Sequence, residues 1–104
     1  MRPKICRLVR DSPAARFFKP RGIPLCELEI VALKVEEWQA ILFADHDRLS
    51  HEKAAKMMGV SRPTFSRILS SGRATVSKAL AEGCALKIGG GVFRLRPAKR
   101  RRSG

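Results

Sequence analysis

Long apolar runs are the first feature that this sequence lacks. No segment approaches the roughly 18 consecutive apolar residues of a membrane-spanning helix. The first residues carry charges but not the apolar stretch that a secretion signal requires. We therefore expect a chain that stays in the cytoplasm and does not enter a membrane.

Cysteine is also scarce. Cys6, Cys26 and Cys84 are odd in number and far apart, which does not suit a disulfide framework. None of them belongs to a CxxC pair, and His46 and His51 do not extend any of them into a zinc pattern. The sequence therefore predicts reduced thiols and no bound metal.

The motifs that catalysis and cofactor binding need are missing as well. The glycine run at 89–91 has neither the GxGxxG pattern nor the surroundings of a phosphate-binding loop. Asp45 and Asp47 have no partner nucleophile, and in a polar break they are more typical of a turn. We expect neither an enzyme nor a cofactor.

Aromatic residues are few, with five phenylalanines, one tryptophan and no tyrosine. Phe17 and Phe18 suit a short strand with one or both rings buried, and the apolar run at 84–88 can pair with it. The stretch at 25–33 is either a linker or an extended segment laid over the helices. Because most rings are needed in the core, few remain to stack on single-stranded RNA.

Positive charge is what the sequence has in excess. Its 104 residues include 22 basic and 9 acidic side chains, which gives a net charge of +13. Residues 1–26 carry +6, residues 27–52 carry −5 and residues 53–104 carry +12. This distribution favours a polyanionic partner, with nucleic acid before an acidic membrane surface.

Residues 49–70 have the pattern of two short helices joined by a tight turn. Ser50 and Ser61 can each cap a helix N-terminus with the side-chain hydroxyl. Gly59 suits the positive φ that ends the first helix, and Pro63 suits the first turn of the second. The apolar positions that would pack these helices together are Ala54, Ala55, Met58, Val60, Phe65, Ile68 and Leu69. The pattern predicts a helix-turn-helix.

The remaining face of the second helix is polar and basic, and in a helix-turn-helix this face enters the DNA major groove. The predicted base-reading residues are Ser61, Arg62, Ser66, Arg67 and Ser70. The predicted phosphate contacts are Lys56, Arg73, Lys78, Arg100, Arg101 and Arg102. The alternative is a helical hairpin within a small core, with the arginines as solvated charges.

The predicted organisation is a single domain between two tails. Residues 1–14 form a flexible basic arm, either a solubilising tail or a DNA-contacting one, and a short strand within it is an open alternative. Residues 92–104 form a disordered basic tail. The domain spans residues 15–91. Within it we expect a helix from Val35 to Asp47, and we expect the second helix of the motif to continue to a stop at Gly83.

The pattern across residues 16–91 also resembles a known family. It is carried by Phe18-Lys19-Pro20-x-Gly22-x-Pro24, Ala40…Ala44-Asp45, Leu49-Ser50…Ala54-Ala55-x-x-Met58-Gly59-Val60-Ser61-Arg62-x-Thr64-Phe65-x-Arg67-Ile68-Leu69, Ala79-Leu80-x-x-Gly83 and Leu86-x-Ile88-x-Gly90-Gly91. It resembles an uncharacterised prokaryotic family of predicted DNA-binding proteins (uncharacterised protein family 0251, domain of unknown function 134). The helix-turn-helix of that family is similar to region 4 of the sigma-70 factors. The family usually has Gln in place of Pro63 and Glu in place of Lys53.

Together these observations predict a mainly α fold, a three-helix, sigma region 4-like helix-turn-helix with a minor two-stranded β element. The expected function is binding of double-stranded DNA in transcriptional regulation, at the nucleoid in the cytoplasm. RNA polymerase and a second copy of the chain are the open candidates for a protein partner. The alternative function is an RNA-binding or protein-interaction module that uses the same fold with basic tails.

Overall fold

The computed structural model of the chain describes residues 7–9, 16–89 and 93–95, with side chains described for 16–89. The rest of the predicted arm and tail, including Arg100, Arg101 and Arg102, lies outside the described residues. The strands and α-helices in chain order are β1 Arg7–Val9, β2 Phe17–Phe18, β3 Ile30–Leu33, α1 Val35–Ile41, α2 His51–Met58, α3 Arg62–Glu82, β4 Ala85–Ile88 and β5 Phe93–Leu95.

The prediction of a mainly α fold with a minor β element is confirmed. The helix expected from Val35 to Asp47 is present, but only its first part is α-helical, because a π-helical turn covers Leu42–His46. Within the described residues, no helix combines the length and the apolar character needed to cross a bilayer.

The helix ends follow from local chemistry, as the sequence predicts. The Ser50 hydroxyl accepts a hydrogen bond from the Lys53 backbone N–H at 3.1 Å, which caps α2. Gly59 ends α2 with a φ of 71°, and Gly83 ends α3 with a φ of 68°. Both angles lie in the left-handed region, where glycine avoids the steric penalty of a Cβ atom.

The β element is larger than predicted. The expected pairing of β2 with β4 is confirmed, and it is antiparallel, with Phe17 opposite Lys87 and Phe18 opposite Leu86. A third strand, β3, pairs in parallel with the other edge of β4, so the sheet order is β2-β4-β3. This strand forms within the stretch at 25–33 for which a linker was one alternative. Separately, β1 pairs in parallel with β5, inside segments predicted as arm and tail.

The prediction that one or both rings of Phe17 and Phe18 are buried is wrong. Phe17 is 45% exposed and Phe18 is 54% exposed. Their strand has two residues and lies at an edge of the sheet, so it has little neighbouring structure to cover both rings.

The core lies where the three helices meet. Its buried residues are Ala40, Phe43, Ala54, Ala55, Met58, Phe65, Ile68 and Leu69. The two alanines of α2 let α3 approach closely, and Phe65 is fully buried. Burying a side chain of that size contributes about 1.5–3 kcal/mol, so this cluster fixes the orientation of the first half of α3.

A second contact holds α1 against the middle of α3. The Ser71 hydroxyl donates a 2.6 Å hydrogen bond to one carboxylate oxygen of Glu37, and the other oxygen accepts the Lys34 backbone N–H at 3.0 Å. Gly72 packs so closely that a Cβ atom there would lie 3.0 Å from the Glu37 Cβ. Helix α3 runs through this glycine without interruption.

Candidate nucleic-acid interface

The candidate interface is built on α2, α3 and the three residues between them. The backbone N–H of Gly59 donates to the Lys56 carbonyl at 3.1 Å, and that of Val60 donates to the Ala55 carbonyl at 3.0 Å. These bonds satisfy carbonyl groups at the end of α2 and fix the direction in which α3 departs. The turn is therefore rigid, which a surface for specific recognition requires.

Ser61 begins α3 and has two hydrogen bonds. Its hydroxyl accepts the Thr64 backbone N–H at 3.2 Å and donates to the Thr64 hydroxyl at 2.9 Å. The predicted cap is confirmed, and it means that the Ser61 hydroxyl already has partners within the chain. Its hydroxyl can reach a base only through a remaining lone pair.

All five predicted base-reading residues are exposed at the start of α3, on the side away from the core. At about 100° per residue, Arg62, Ser66 and Ser70 fall within about 80° of one another and form one stripe. Arg67 lies about 140° from Arg62 and therefore at the border of this stripe. The structure brings these side chains to one helix surface but points the two arginines in different directions.

The two arginines also differ in their surroundings. A terminal nitrogen of Arg67 donates to the Thr64 hydroxyl at 3.3 Å, which restrains the guanidinium. Arg62 has no hydrogen bond or ion pair with any of the residues that the structure describes. Of the two arginines, Arg62 is therefore the one whose guanidinium is free to meet a ligand. Thr64 was not predicted as a site residue, although its spacing of three from both Ser61 and Arg67 could have indicated it.

Arg73 continues the stripe of Arg62, about 16 Å further along the axis. Its guanidinium makes two hydrogen bonds to the Asp45 carboxylate, at 3.1 and 2.6 Å. The pairing lowers the pKa of Asp45 and raises that of Arg73. Its role as a phosphate contact stays a prediction, and it requires this carboxylate to be displaced or shared.

Lys78 is similarly engaged. Its ammonium lies 2.9 Å from the Glu82 carboxylate and 3.3 Å from that of Glu29, and these partners raise its pKa. Lys56 is exposed on α2 and has no such partner among the described residues. Of the predicted phosphate contacts that the structure describes, Lys56 is the one with an unpaired charge. Lys53, also exposed on α2, is a further cation that the prediction omitted.

Three side chains close to Lys78 are the possible metal ligands among the described residues. Carboxylate oxygens of Glu29 and Glu82 and the sulfur of Cys84 lie within 4.8 Å of one another. The Lys78 ammonium already pairs with both carboxylates, so it supplies the positive charge that a metal ion would otherwise bring to the cluster. We assign no metal to it.

The helices and the small sheet define a mainly helical domain with a basic helix surface at one end. Residues 1–96 match the profile of the family described as "Protein of unknown function DUF134". The chain belongs to this family, as its sequence pattern predicts.

The relatives carry the family name without a function. The chain is 52% identical over 94 residues to a UPF0251 protein of Pelotomaculum thermopropionicum, covering 90% of the chain and 71% of the relative. It is 50% identical over 94 residues to one of Moorella thermoacetica, covering 90% of the chain and 63% of the relative. It is 46% identical over 97 residues to one of Rhodospirillum rubrum, covering 93% of the chain and 68% of the relative. The chain thus spans about two thirds of the length of these relatives. No solved structure matches the chain significantly.

Proposed function

We propose that the chain binds double-stranded DNA through α2, the turn and α3, acting as a helix-turn-helix regulator of transcription. The observation that carries the proposal is the exposed, basic surface of the first half of α3. Its opposite side is anchored by Phe65, Ile68 and Leu69, so the side chains on the exposed stripe are presented on a rigid element. Helix α3 has no acidic residue before Glu82 that would repel phosphates.

The dimensions of this surface suit a major groove. Residues 62–70 span about 12 Å of helix axis, which corresponds to three or four base pairs. Arg62 is at the N-terminal end, the part of a recognition helix that usually contacts base edges. We assign it a guanine contact, which would contribute about 1–3 kcal/mol of discrimination. We assign Arg67, restrained at the border of the stripe, to a base or phosphate on the groove wall.

The charge distribution supports the same partner. Lys53 and Lys56 on α2 are free to contact phosphates next to the groove that α3 occupies. Arg73 and Lys78 add contacts only when phosphate replaces Asp45, Glu29 or Glu82. Each phosphate contact increases the slope of log K against log salt by about 0.9.

A single-stranded RNA partner is the second candidate, because the exposure of Phe17 and Phe18 favours it. Exposed aromatic side chains on a strand can stack on unpaired bases. The two rings belong to successive residues of a strand and therefore point to opposite faces of the sheet, which does not make one stacking platform. For this reason we rank duplex DNA first.

The test begins with selection from random duplex DNA, followed by titration of a preferred duplex, its single-base variants and single-stranded RNA. We expect a preferred sequence, and we expect Arg62→Ala to lose discrimination at one or two base positions. Arg21→Ala is the matched control, because Arg21 is an exposed arginine near the sheet. It should leave the base preference unchanged.

Three results would contradict the proposal. If Arg62→Ala weakens binding to every duplex by the same factor, Arg62 is a phosphate contact and the groove assignment is wrong. If selection yields no preferred duplex, the regulatory function is wrong. If RNA binds more tightly than duplex DNA and Phe17→Ala removes that binding, the RNA alternative is correct.

A further inference from the structure

An apolar groove lies beside the second half of α3, whereas the candidate DNA-reading residues lie along the first half. It encloses about 300 Å³ between β2 and the second half of α3. Its apolar lining includes Phe18, Val76, Ala79, Leu80, Cys84 and Leu86. We call it the sheet-end groove.

Leu80 is the most conspicuous residue of the sheet-end groove. It is 80% exposed at the groove edge, beside Phe18 at 54%. Exposed apolar residues are common singly, but Phe18 and Leu80 line one apolar groove together, which indicates a surface that something covers.

We propose that the sheet-end groove is the interface between two copies of this chain. A two-fold interface uses the same patch on both subunits and must therefore complement itself. This patch offers both a protrusion and a recess, because the exposed Leu80 lies at the edge of a groove lined by Val76, Ala79 and Leu86. Leu80 of each copy would enter the groove of the other.

The charges beside the sheet-end groove favour a second copy of the chain over a polyanionic partner. Beside the groove, Glu29 and Glu82 both pair with Lys78, so these three side chains together carry a net charge of −1, which offsets part of the positive charge of Lys19 and Arg21 on the β2 side. The Lys19 ammonium is folded back onto the Ile23 carbonyl at 2.6 Å. Two strongly basic copies can meet here with little repulsion, whereas nucleic acid or an acidic membrane would find little attraction.

Such a dimer would also limit the spacing of the two DNA half-sites, a consequence that rests on the proposed function. Arg62 and Leu80 are 18 residues apart, or about 27 Å along α3. Two copies joined near Leu80 would therefore hold their Arg62 residues at most about 54 Å apart, plus the width of the contact. This reach includes half-sites one DNA turn apart, at about 34 Å.

The test is the mass of the full chain in solution without DNA, so that it does not depend on the proposed function. Sedimentation equilibrium from micromolar to millimolar protein should show a species of twice 11.6 kDa. Leu80→Glu should weaken this dimer by roughly a hundredfold or more, because it places two charges in an apolar contact. At a protein concentration where both chains are monomeric, the variant should unfold at the same urea concentration as the parent chain, because Leu80 is so exposed.

Ala81→Glu is the matched control. It adds the same charge one residue further, where the side chain is exposed and turned about 140° from Val76 and about 160° from Ala79. It should change the dimer dissociation constant by no more than roughly threefold. A chain that stays monomeric, a Leu80→Glu variant that dimerises normally, or an equal effect of both variants would overturn the proposal.

A monomer whose groove binds an apolar fluorescent probe, with binding lost in Leu80→Glu, would assign the groove to a different occupant. If the chain dimerises but binds no duplex DNA, the proposed interface is supported and the proposed function is wrong. A Leu80→Glu monomer should still bind a single half-site, while losing the added affinity for two half-sites one turn apart.

Discussion

Replacing Gly72 by alanine tests the close contact that positions α3 against α1. In a solvent-exposed helix this change would stabilise the protein by about 1 kcal/mol, because alanine is the better helix former. Here the new Cβ would lie 3.0 Å from the Glu37 Cβ, 3.2 Å from the Ile41 Cδ1 and 3.3 Å from the Glu37 carbonyl oxygen. The sign of the effect therefore depends on whether these neighbours can move.

The geometry indicates that they cannot move cheaply. The end of the Ile41 side chain can rotate away, but the Glu37 Cβ and carbonyl oxygen belong to or adjoin the backbone of α1. Carbon atoms prefer separations of about 3.5–4.0 Å, so α1 would have to move by about 0.5–1 Å. Such overpacking costs about 1–3 kcal/mol. The shift would also stretch the 2.6 Å bond from Ser71 to Glu37, and a hydrogen bond of this kind contributes about 1 kcal/mol.

We therefore expect Gly72→Ala to lower the free energy of unfolding by about 1–3 kcal/mol, because the weakened hydrogen bond and the gain in helix propensity roughly cancel. The measurement is urea denaturation of the full chain, read from the midpoint at unchanged slope. Ser77→Ala, at an exposed position of the same helix, is the control and should stabilise by a few tenths of a kcal/mol. If Gly72→Ala is as stable as the parent chain, the reasoning about the α1–α3 contact is wrong.

Three further predictions address the cap, the ion pair and the thiols. Ser61→Ala should destabilise by about 1 kcal/mol through loss of the α3 cap, whereas Ser66→Ala should stay within about 0.5 kcal/mol; equal effects in urea denaturation would contradict the cap. Asp45→Asn should destabilise by less than about 1 kcal/mol at neutral pH because the pair with Arg73 is about half exposed, and should strengthen the salt dependence of DNA binding by freeing Arg73. The folded-state pKa of Asp45 lies below its ordinary 3.8, so the contribution of the ion pair to stability is complete above pH 3.8 and is lost as the pH falls through the lower folded-state pKa. The free energies of unfolding of the parent chain and of Asp45→Asn should therefore converge in acid, and a constant difference between them would refute this role of the pair. Burial and the Glu29 carboxylate raise the pKa of the Cys84 thiol, so maleimide at mildly alkaline pH should label exposed Cys26 well before Cys84, as peptide mapping by mass spectrometry would show.

Much of the helical half of the fold could be predicted from sequence. Ser50, Gly59, Ser61 and Gly83 mark helix ends because capping depends on hydrogen bonds and backbone angles within a few residues. The exposed stripe of α3 followed from the same periodicity that placed Phe65 in the core. The family was also identifiable, because its pattern is carried by these locally determined positions.

The candidate site illustrates what sequence could not provide. Arg73 and Asp45 are 28 residues apart, and Lys78 and Glu29 are 49 apart, so no spacing rule relates them. Their pairing changes which predicted cations are free, and only the packing of α3 beside the π-helical turn and the sheet brings them together. The same is true of the sheet-end groove, whose walls come from β2, β4 and α3.

The sequence by itself determined where α2 and α3 begin and end, which face of α3 is buried, and that the chain is strongly basic. Only the tertiary structure decided that β3 joins β4, that Phe17 and Phe18 remain exposed, and that Arg62 keeps a free guanidinium while Arg73 does not. The physical reason is the range of the interactions. Caps and helical periodicity act over three or four residues, whereas strand pairing, burial and ion pairing depend on chain segments that meet only when the whole domain has packed.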